Sequence, residues 1–143
     1  MRVEMWVDGA SSGNHRRGGE RRAGAGIVAR SGRFEKEYSI PLGDATNQQA
    51  ELIAVREGLL RIKNRAAADV VVYSDSAYAI GSLTADWKPK ANVELIQEIR
   101  ALIAECRSFR MVKVAGHAGD PGNERANELA VAATRRDVPE GET

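Results

Sequence analysis

The stretch Val70-Val71-Val72-Tyr73-Ser74-Asp75-Ser76-Ala77-Tyr78 decides the fold, because in it an apolar run ends in an acid. Three valines and a tyrosine are the composition of a strand that is buried on both faces. A helix-compatible stretch follows, from Ala77 to Leu83. The sequence therefore predicts that Asp75 lies at the C-terminal tip of a central strand, where open α/β sheets bind their ligands. Taken alone, Asp75 is equally consistent with a cap of the next helix.

A second acid follows the first apolar segment of the chain. Residues Val3 to Val7 alternate loosely, and Asp8 comes next, followed by Gly9. By itself this pair also fits an Asp-Gly turn. If the two strands are neighbours, however, Asp8 and Asp75 meet at one edge of the sheet. Like charges so placed repel, and each tends to hold a proton unless a cation lies between them, so the two acids predict a divalent metal site.

The composition narrows the class of protein. The chain has 143 residues, 43% of them hydrophobic and 29% charged, which is typical of one globular domain with a core. Its formal net charge is +1, so an anionic partner has to be held by local patches or by metal. Cys106 is the only cysteine, which excludes an internal disulfide and a cysteine zinc cluster. No apolar run reaches the roughly 18 to 20 residues of a membrane span, and the N-terminus does not resemble a signal peptide, so we expect a cytoplasmic protein.

Turn signals and hydrophobic periodicity divide the chain into strands and helices in the order βββαβααβα. The predicted strands are 1–8, 24–30, 33–41, 69–74 and 109–114, and the predicted helices are 46–63, 76–83, 93–106 and 123–135. This order predicts an α/β fold: a five-stranded mixed sheet, with three antiparallel strands followed by two parallel ones, and helices on both faces. Residues 1–136 form the predicted domain, and 137–143 a disordered tail.

The two helices that carry further polar candidates have clear apolar faces. The first opens with Thr46-Asn47-Gln48-Gln49, the pattern of a capping box. Glu51 lies beside its buried stripe, although most helix glutamates are solvated. Asn127 lies next to the packing face of the last helix, which Asp120 is expected to cap. The predicted buried stripe of the first helix is Leu52, Val55, Leu59 and Ile62, and the predicted packing face of the last is Ala126, Leu129, Ala130 and Ala133.

Four stretches together resemble a known family. In chain order they are Val7–Ser11 (VDGAS), Thr46–Glu51 (TNQQAE), Ser74–Tyr78 (SDSAY) and Val114–Ala130 (VAGHAGDPGNERANELA). Each motif alone is weak, but all four in this order and spacing closely resemble type 1 ribonuclease H, from Met5 to Ala133. The resemblance implies an RNase H-like fold and an endonuclease that hydrolyses the RNA strand of an RNA–DNA hybrid, leaving 5′-phosphate and 3′-hydroxyl ends.

The resemblance also implies a metal site of two divalent ions, usually Mg²⁺, with Mn²⁺ as a possible substitute. Asp8 matches the family acid that bridges the ions, while Glu51 and Asp75 match the acids that hold the ion on the leaving-group side. Two cations can activate water and stabilise a leaving oxygen without a protein nucleophile, so the chemistry agrees with the residues. His117 matches the residue that handles protons and helps product release, a role suited to titration near neutrality. From the residues alone, His117 is an ordinary exposed loop histidine.

The fourth acid of the family is an aspartate, and here that position falls on Asn127. An amide oxygen can ligate Mg²⁺, but it brings no negative charge. Three interpretations follow: a natural enzyme that works with this residue, an engineered trap for complexes, or a hybrid-binding module that has lost turnover. The first is favoured because Asp8, Glu51, Asp75 and His117 are all present. A related polynucleotidyl transferase acting on DNA is the other rival, and the His117 motif and the short chain argue against it.

The same resemblance implies contacts with the hybrid duplex. The positions that match duplex contacts are Asn14, Thr46, Asn47 and Gln48, and side-chain amides in the minor groove can read 2′-hydroxyls. Gly9 allows the backbone to approach the RNA strand closely. Thr46 and Asn92 match two members of a pocket for a DNA phosphate. The third member, usually arginine, falls on Asp44, which would repel a phosphate. Thr46 and Asn92 are also consistent with helix caps, at 46 and before Val93.

A cluster of arginines offers a further contact with nucleic acid. Arg16, Arg17, Arg21 and Arg22 lie in a polar loop between the first two predicted strands. Such a run is often only a solvated loop tip. As a basic patch it would contact phosphates outside the site. The expected partner is thus an RNA–DNA hybrid, with no membrane, no obligate protein partner and a monomeric state.

Overall fold

The computed structural model describes residues 1–12, 22–115 and 119–139 of the chain. Within these residues the elements follow the predicted order. The strands are β1 (Arg2–Ser12), β2 (Arg22–Ser31), β3 (Phe34–Gly43), β4 (Asp69–Ser74) and β5 (Ser108–Lys113). The helices are α1 (Asn47–Leu60), α2 (Ala77–Thr84), α3 (Val93–Glu105) and α4 (Pro121–Ala133), with a 3₁₀ turn at Arg65–Ala67.

The strands form one mixed sheet in the order β3-β2-β1-β4-β5. Strands β1, β2 and β3 are antiparallel neighbours, whereas β1 pairs parallel with β4, and β4 pairs parallel with β5. The predicted fold class is therefore confirmed. Because β1 and β4 are parallel neighbours, their side chains of equal height lie side by side, which is the arrangement that the predicted meeting of Asp8 and Asp75 requires.

Strand β1 is longer than predicted. It continues past Asp8 to Ser12, because β2 pairs with every residue of this segment, from Asp8 opposite Gly26 to Ser12 opposite Arg22. This pairing gives hydrogen-bond partners to backbone N–H and C=O groups that would otherwise need partners within a turn. The interpretation of Asp8-Gly9 as a turn is therefore wrong, and Asp8 lies within the strand.

Helices α1 and α3 cover one face of the sheet, over the main core. Met5 and Val7 of β1 and Ile27 of β2 are almost fully buried there, as are three of the four predicted stripe residues of α1. The fourth, Ile62, is also buried but lies beyond the helix, which ends at Leu60 rather than near Lys63. The Arg61 N–H bonds back to Gly58 and Leu59, which tightens the last turn and closes the helix early.

Helix α4 covers the other face and touches β2 at backbone distance. A Cβ atom on Gly24 would come closer than 3.0 Å to the Ala130 carbonyl oxygen, and one on Gly26 would do so to that of Ala126. Only glycine allows this approach. The predicted packing face of α4 is confirmed, because Ala126, Leu129, Ala130 and Ala133 are all buried. The helix is thereby held against the strand that pairs with β1.

Two of the predicted side-chain caps of helices are present in the structure, and two are not. Thr46 forms the predicted capping box with Gln49, and Asp120 caps α4. Helix α2, however, is capped by Ser76, whose hydroxyl accepts from the Ala79 N–H, so the interpretation of Asp75 as a cap is wrong. Asn92 does not cap α3 with its side chain either. Its backbone is left-handed (φ 56°), and its amide instead donates to the Tyr78 hydroxyl over 2.9 Å.

The end of the described chain lies near the start of β2. After α4, residues 137–139 are exposed, and the Asp137 carboxylate accepts a hydrogen bond from Arg22. Residues 140–143 of the predicted tail lie outside the described residues. Across the described ranges, the helices are all too short or too polar to cross a membrane.

Candidate functional site

Three carboxylates converge at one edge of the sheet. Asp8 lies in β1, Asp75 follows the last residue of β4, and Glu51 extends from α1. One oxygen from each of the three lies within 4.8 Å of the others, so the side chains surround a common space. The parallel pairing of β1 with β4 brings the two aspartates together. The convergence that the sequence predicts for Asp8 and Asp75 is therefore found, and Glu51 joins it.

Glu51 reaches the sheet because α1 packs directly on Gly9. A Cβ atom at Gly9 would come closer than 3.0 Å to the backbone of Ala50 and Glu51, so only glycine fits there. The Gly9 N–H donates to Glu51 Oε1 over 2.7 Å and fixes the carboxyl group. The Glu51 residue is 8% exposed, so the expectation of a solvated helix glutamate is wrong. Helix α1 therefore occupies the space in which a side chain at position 9 would lie.

Asn127 belongs to the same group of side chains. It extends from α4 across the sheet edge, and its Nδ2 donates to Asp8 Oδ2 over 2.8 Å. An amide N–H is the natural partner of a carboxylate that has no cation beside it. The four polar side chains thus come from four different elements, with Asp8 between the carboxylates and the amide.

Burial and mutual repulsion change the protonation of two of the acids. Asp8 is 5% exposed, and its pKa is raised chiefly by burial, while the hydrogen bond from Asn127 opposes that rise. The pKa of Glu51 is raised to about 8, first by burial and then by the charge of Asp8. In the absence of a cation, Glu51 therefore keeps its proton at neutral pH. A charged form of the whole cluster needs a compensating positive charge.

The residues present fit a hard divalent cation. Carboxylate and amide oxygens are the ligands that Mg²⁺ takes in proteins, and Asp8, Glu51 and Asp75 supply three carboxylates around one space. A bound cation would favour the charged forms that burial disfavours, since an opposite charge lowers the pKa of an acid. The raised pKa values are thus what an acidic metal site shows when no cation compensates it.

The remaining predicted contacts fall into two groups. Asn47 and Gln48 are exposed at the start of α1, next to the cap residue Thr46, and Asp44 is exposed just before them. Asn92 is half-buried at the start of α3. Asn14, Arg16, Arg17, Arg21 and His117 lie outside the described residues. Of the arginine cluster only Arg22 is described, and it is exposed.

Three residues that support the site were not singled out from the sequence. Gly24 and Gly26 seat α4, and their spacing of two along a strand is the signal that marks one face for close helix packing. Trp6 precedes Asp8 by two positions, so it shares the face of β1 from which Asp8 projects. An aromatic residue two positions before a candidate acid was a visible feature, but nothing in the pattern indicated what it contacts.

Comparisons with known proteins show which family the sequence of this chain matches. The model of the RNase H family matches residues 1–135. The ribonuclease H of Bordetella avium is 40% identical over 141 residues, which covers 90% of this chain and 87% of that protein. The ribonuclease H of Agrobacterium fabrum is also 40% identical over 141 residues and covers 90% and 91%. The residues matched by the family model include all the strands and helices that carry the site.

Solved structures show the same fold. The RNase H1 of the halophilic archaeon Halobacterium salinarum superposes with a TM-score of 0.75 at 28% identity, covering 93% of this chain and 97% of that one. LC9-RNase H1, described as a type 1 RNase H with the type 2 active-site motif, has a TM-score of 0.79 at 28% identity and covers 93% and 72%. The five-stranded sheet and its helices are thus shared with solved nucleases.

Proposed function

This chain belongs to the RNase H family, enzymes that hydrolyse the RNA strand of RNA–DNA hybrids, and we propose that it does so with two Mg²⁺ ions. The products would carry 5′-phosphate and 3′-hydroxyl ends. The observation that carries the proposal is the convergence of Asp8, Glu51 and Asp75 within 4.8 Å of one another. A pair of bound divalent ions supplies an activated water and a stabilised leaving oxygen.

The protein's own residues prepare this site in distinct ways. Asp8 is the central ligand of the proposal, since it lies among the other acids and also contacts Asn127. Glu51 is held in place by the Gly9 N–H and releases its proton when a cation occupies the site. Asp75, at the end of β4, completes the set of carboxylates. His117 is proposed to handle protons and to help product release, on the strength of its motif.

The direct test is one gel with three labelled substrates. An RNA–DNA hybrid, duplex DNA and duplex RNA are each incubated with Mg²⁺, with Mn²⁺ or with EDTA. We expect cleavage of the hybrid RNA strand alone, and only in the presence of a divalent ion. Retention of the hybrid without cleavage would instead identify the binding module, and cleavage of duplex DNA would identify a polynucleotidyl transferase.

Asn127 is proposed as the fourth ligand, on the nucleophile side. Its Nδ2 faces Asp8, so the amide has to turn to present its oxygen to a cation. Asn127→Ala is expected to raise the Mg²⁺ concentration for half-maximal rate about tenfold, the usual effect of removing a side chain that supports a bound metal. Asn127→Asp adds a negative ligand and is expected to lower that concentration. Metal titrations of hybrid cleavage measure both effects.

Two comparisons keep the Asn127 experiment decisive. Asn64→Ala removes an exposed asparagine beside the 3₁₀ turn and is expected to leave the titration unchanged. Asp75→Asn is expected to slow cleavage even at saturating metal. An unchanged titration for Asn127→Ala would exclude Asn127 from the site. If the starting protein is silent and Asn127→Asp activates it, the protein as it stands is a binding module.

The arginine cluster is proposed to contact phosphates outside the site. Replacing Arg16, Arg17, Arg21 and Arg22 with alanine is expected to flatten the dependence of hybrid affinity on salt, by about 0.9 in log–log slope for each phosphate that an arginine had neutralised. Fluorescence anisotropy of a labelled hybrid in EDTA, at several salt concentrations, measures the slope. The Arg22–Asp137 pair has to open for such a contact, so Asp137→Asn is expected to tighten binding slightly.

A matched control separates local contact from net charge. Arg33, Lys36, Arg61 and Lys63 form a second group of four basic residues, around the β2–β3 turn and the end of α1, and their replacement changes the net charge equally. We expect the slope of this control to stay close to that of the parent protein. Equal flattening by both sets would mean that only overall charge matters. The remaining proposals are a cytoplasmic location, a monomeric state, and duplex contacts by Gly9, Asn14, Thr46, Asn47, Gln48 and Asn92.

A further inference from the structure

We propose that Trp6 is a positioning residue whose indole sets the height of α4 and thereby places Asn127 against the carboxylate cluster. The inference rests on the proposed function in that Asn127 is taken as a metal ligand. Trp6 itself touches neither cation nor substrate in this proposal. It acts through the contact between its ring and the first turn of α4.

Trp6 and Tyr73 form a pair of stacked rings next to the carboxylate cluster. Trp6 precedes Asp8 by two residues on β1, so its ring shares a sheet face with that acid. Tyr73 lies near the end of β4, two residues before Asp75, which follows the strand. Trp6 and Tyr73 are direct partners in the parallel pairing, and their rings stack at 4.7 Å with an interplanar angle of 13°. The pair of rings therefore lies beside the acids.

Neighbouring side chains hold the indole in a fixed orientation. The Arg30 guanidinium, from the strand on the other side of β1, lies 5.0 Å from the centroid of the Trp6 ring. The Tyr73 hydroxyl donates to Glu4 Oε2 over 2.8 Å, which fixes the ring that stacks on Trp6. The indole is thus supported from both adjacent strands, and it can serve as a rigid spacer.

Helix α4 rests on this spacer at its first turn. A Cβ atom on Gly122 would come closer than 3.0 Å to three atoms of the Trp6 indole, so no other residue fits without movement. Glycine is among the poorest helix formers, and its presence inside a helix is explained here by the close approach of the ring. The N-terminal end of α4 therefore lies at a height that the indole determines.

The second support of α4 is the backbone of β2. The Ala126 and Ala130 backbone lies against Gly26, which pairs with Asp8. Asn127 follows Ala126 directly, so it lies beside this second support, and its side chain reaches the acid that it contacts at 2.8 Å. A change in the height of the first turn tilts the helix about the Gly26 contact, and the Asn127 side chain, which projects from the helix backbone, moves with the helix. Ligand groups have to stay within about 0.5 Å of their working position, so even a small tilt affects binding.

The test measures Mn²⁺ binding to the free protein by isothermal titration calorimetry, without substrate. Gly122→Ala forces a methyl group into the indole, and Trp6→Ala removes the spacer together with the three ring atoms that this methyl group would meet. Each is expected to weaken Mn²⁺ binding about fivefold, somewhat less than the usual effect of removing a group that supports a metal directly. Because Trp6→Ala removes the ring atoms that clash with the methyl group, Gly122→Ala is expected to cause no further weakening in the Trp6→Ala background.

The same substitutions are then made with Asn127→Ala already present. If Trp6 acts through Asn127, Gly122→Ala no longer changes the Mn²⁺ dissociation constant in that background. Tyr38→Phe is the matched control, because it removes only a hydroxyl group from a ring that packs against the main core, away from α4; we expect its dissociation constant to equal that of the parent. Thermal melting confirms that each variant is folded, and Gly122→Ala carries the test if Trp6→Ala does not fold.

The outcomes separate this inference from the proposed function. Equal weakening by Gly122→Ala with and without Asn127 would overturn the positioning role, as would no weakening in a folded variant. If Asn127→Ala itself leaves Mn²⁺ binding unchanged, the ligand role of Asn127 fails and the positioning role with it. Loss of hydrolysis on the gel, with the coupling between Gly122 and Asn127 intact, would overturn the enzymatic proposal alone.

Discussion

Asp8→Asn is expected to reduce hydrolysis of the hybrid RNA strand by about 10³-fold or more, because it removes the central charge of the proposed metal site. Stabilising charge through metal is worth several kcal/mol of the barrier, and each 1.4 kcal/mol is about a factor of ten in rate. The single-turnover rate at saturating Mg²⁺ measures the loss. Asp86→Asn, an exposed acid in the segment between α2 and α3, makes the same change in charge and should leave the rate unaltered.

The stability of this variant distinguishes a functional acid from a structural one. Burial and the charge of Asp75 both raise the pKa of Asp8, so replacing Asp8 with a neutral residue removes a buried charge and its repulsion from Asp75 in the metal-free protein. We therefore expect Asp8→Asn to melt at the same temperature as the parent or higher in EDTA, although it is inactive. Such a trade of stability for function is common at active sites. A variant that retains a tenth of the activity, or that unfolds, would contradict the central role of Asp8.

The fold was predictable because its signals are local. The strand at 69–74 has the predicted bounds, since an apolar run and a Ser-Asp-Ser break both lie within a few residues. The extension of β1 to Ser12 was not predictable in the same way. It depends on pairing with β2, and a segment containing Gly9, Ala10 and two serines has little strand propensity of its own. Tertiary hydrogen bonds decide the structure there.

The same distinction between local signals and tertiary contacts applies to the site residues. Asp8 and Asp75 were predictable as neighbours because each follows an apolar segment of the sequence, and the two segments pair as parallel strands. The burial of Glu51 could not be predicted, because it depends on the absence of a side chain at Gly9, which is far from Glu51 in the sequence. The contact of Asn127 with Asp8 likewise depends on how α4 lies on Gly24, Gly26 and the Trp6 ring. Hydrophobic periodicity predicts which face of a helix is buried, but it does not predict how far the helix lies from the sheet.

Stability is expected to fall with rising pH in the metal-free protein, and metal is expected to remove this dependence. In EDTA, the free energy of unfolding should fall as pH rises from about 4.5, the ordinary pKa of glutamate, to about 8, the raised pKa of Glu51 in the folded protein. Between these values the folded state keeps a proton that the unfolded state has released, so deprotonation favours unfolding. One such proton gives a slope of at most about 1.4 kcal/mol per pH unit. The raised pKa of Asp8 acts in the same direction.

Mg²⁺ should remove this loss, because it stabilises the charged carboxylates and binds only the folded site. The increase in stability on adding Mg²⁺ is therefore expected to be small at pH 5, where a cation has to displace protons, and largest at pH 8. Urea titrations at pH 5, 6.5 and 8, with EDTA or Mg²⁺, measure both trends.

Two variants test whether Glu51 causes the pH dependence. Glu51→Gln stays neutral at every pH and should flatten the dependence of stability on pH in EDTA. Glu98→Gln, at an exposed glutamate on α3, should leave that dependence unchanged. A parent protein whose stability in EDTA does not fall between pH 5 and 8 would mean that Glu51 is already ionised without a cation. The acids would then need no metal to compensate their charge, and the strongest electrostatic reason for placing one among them would be lost.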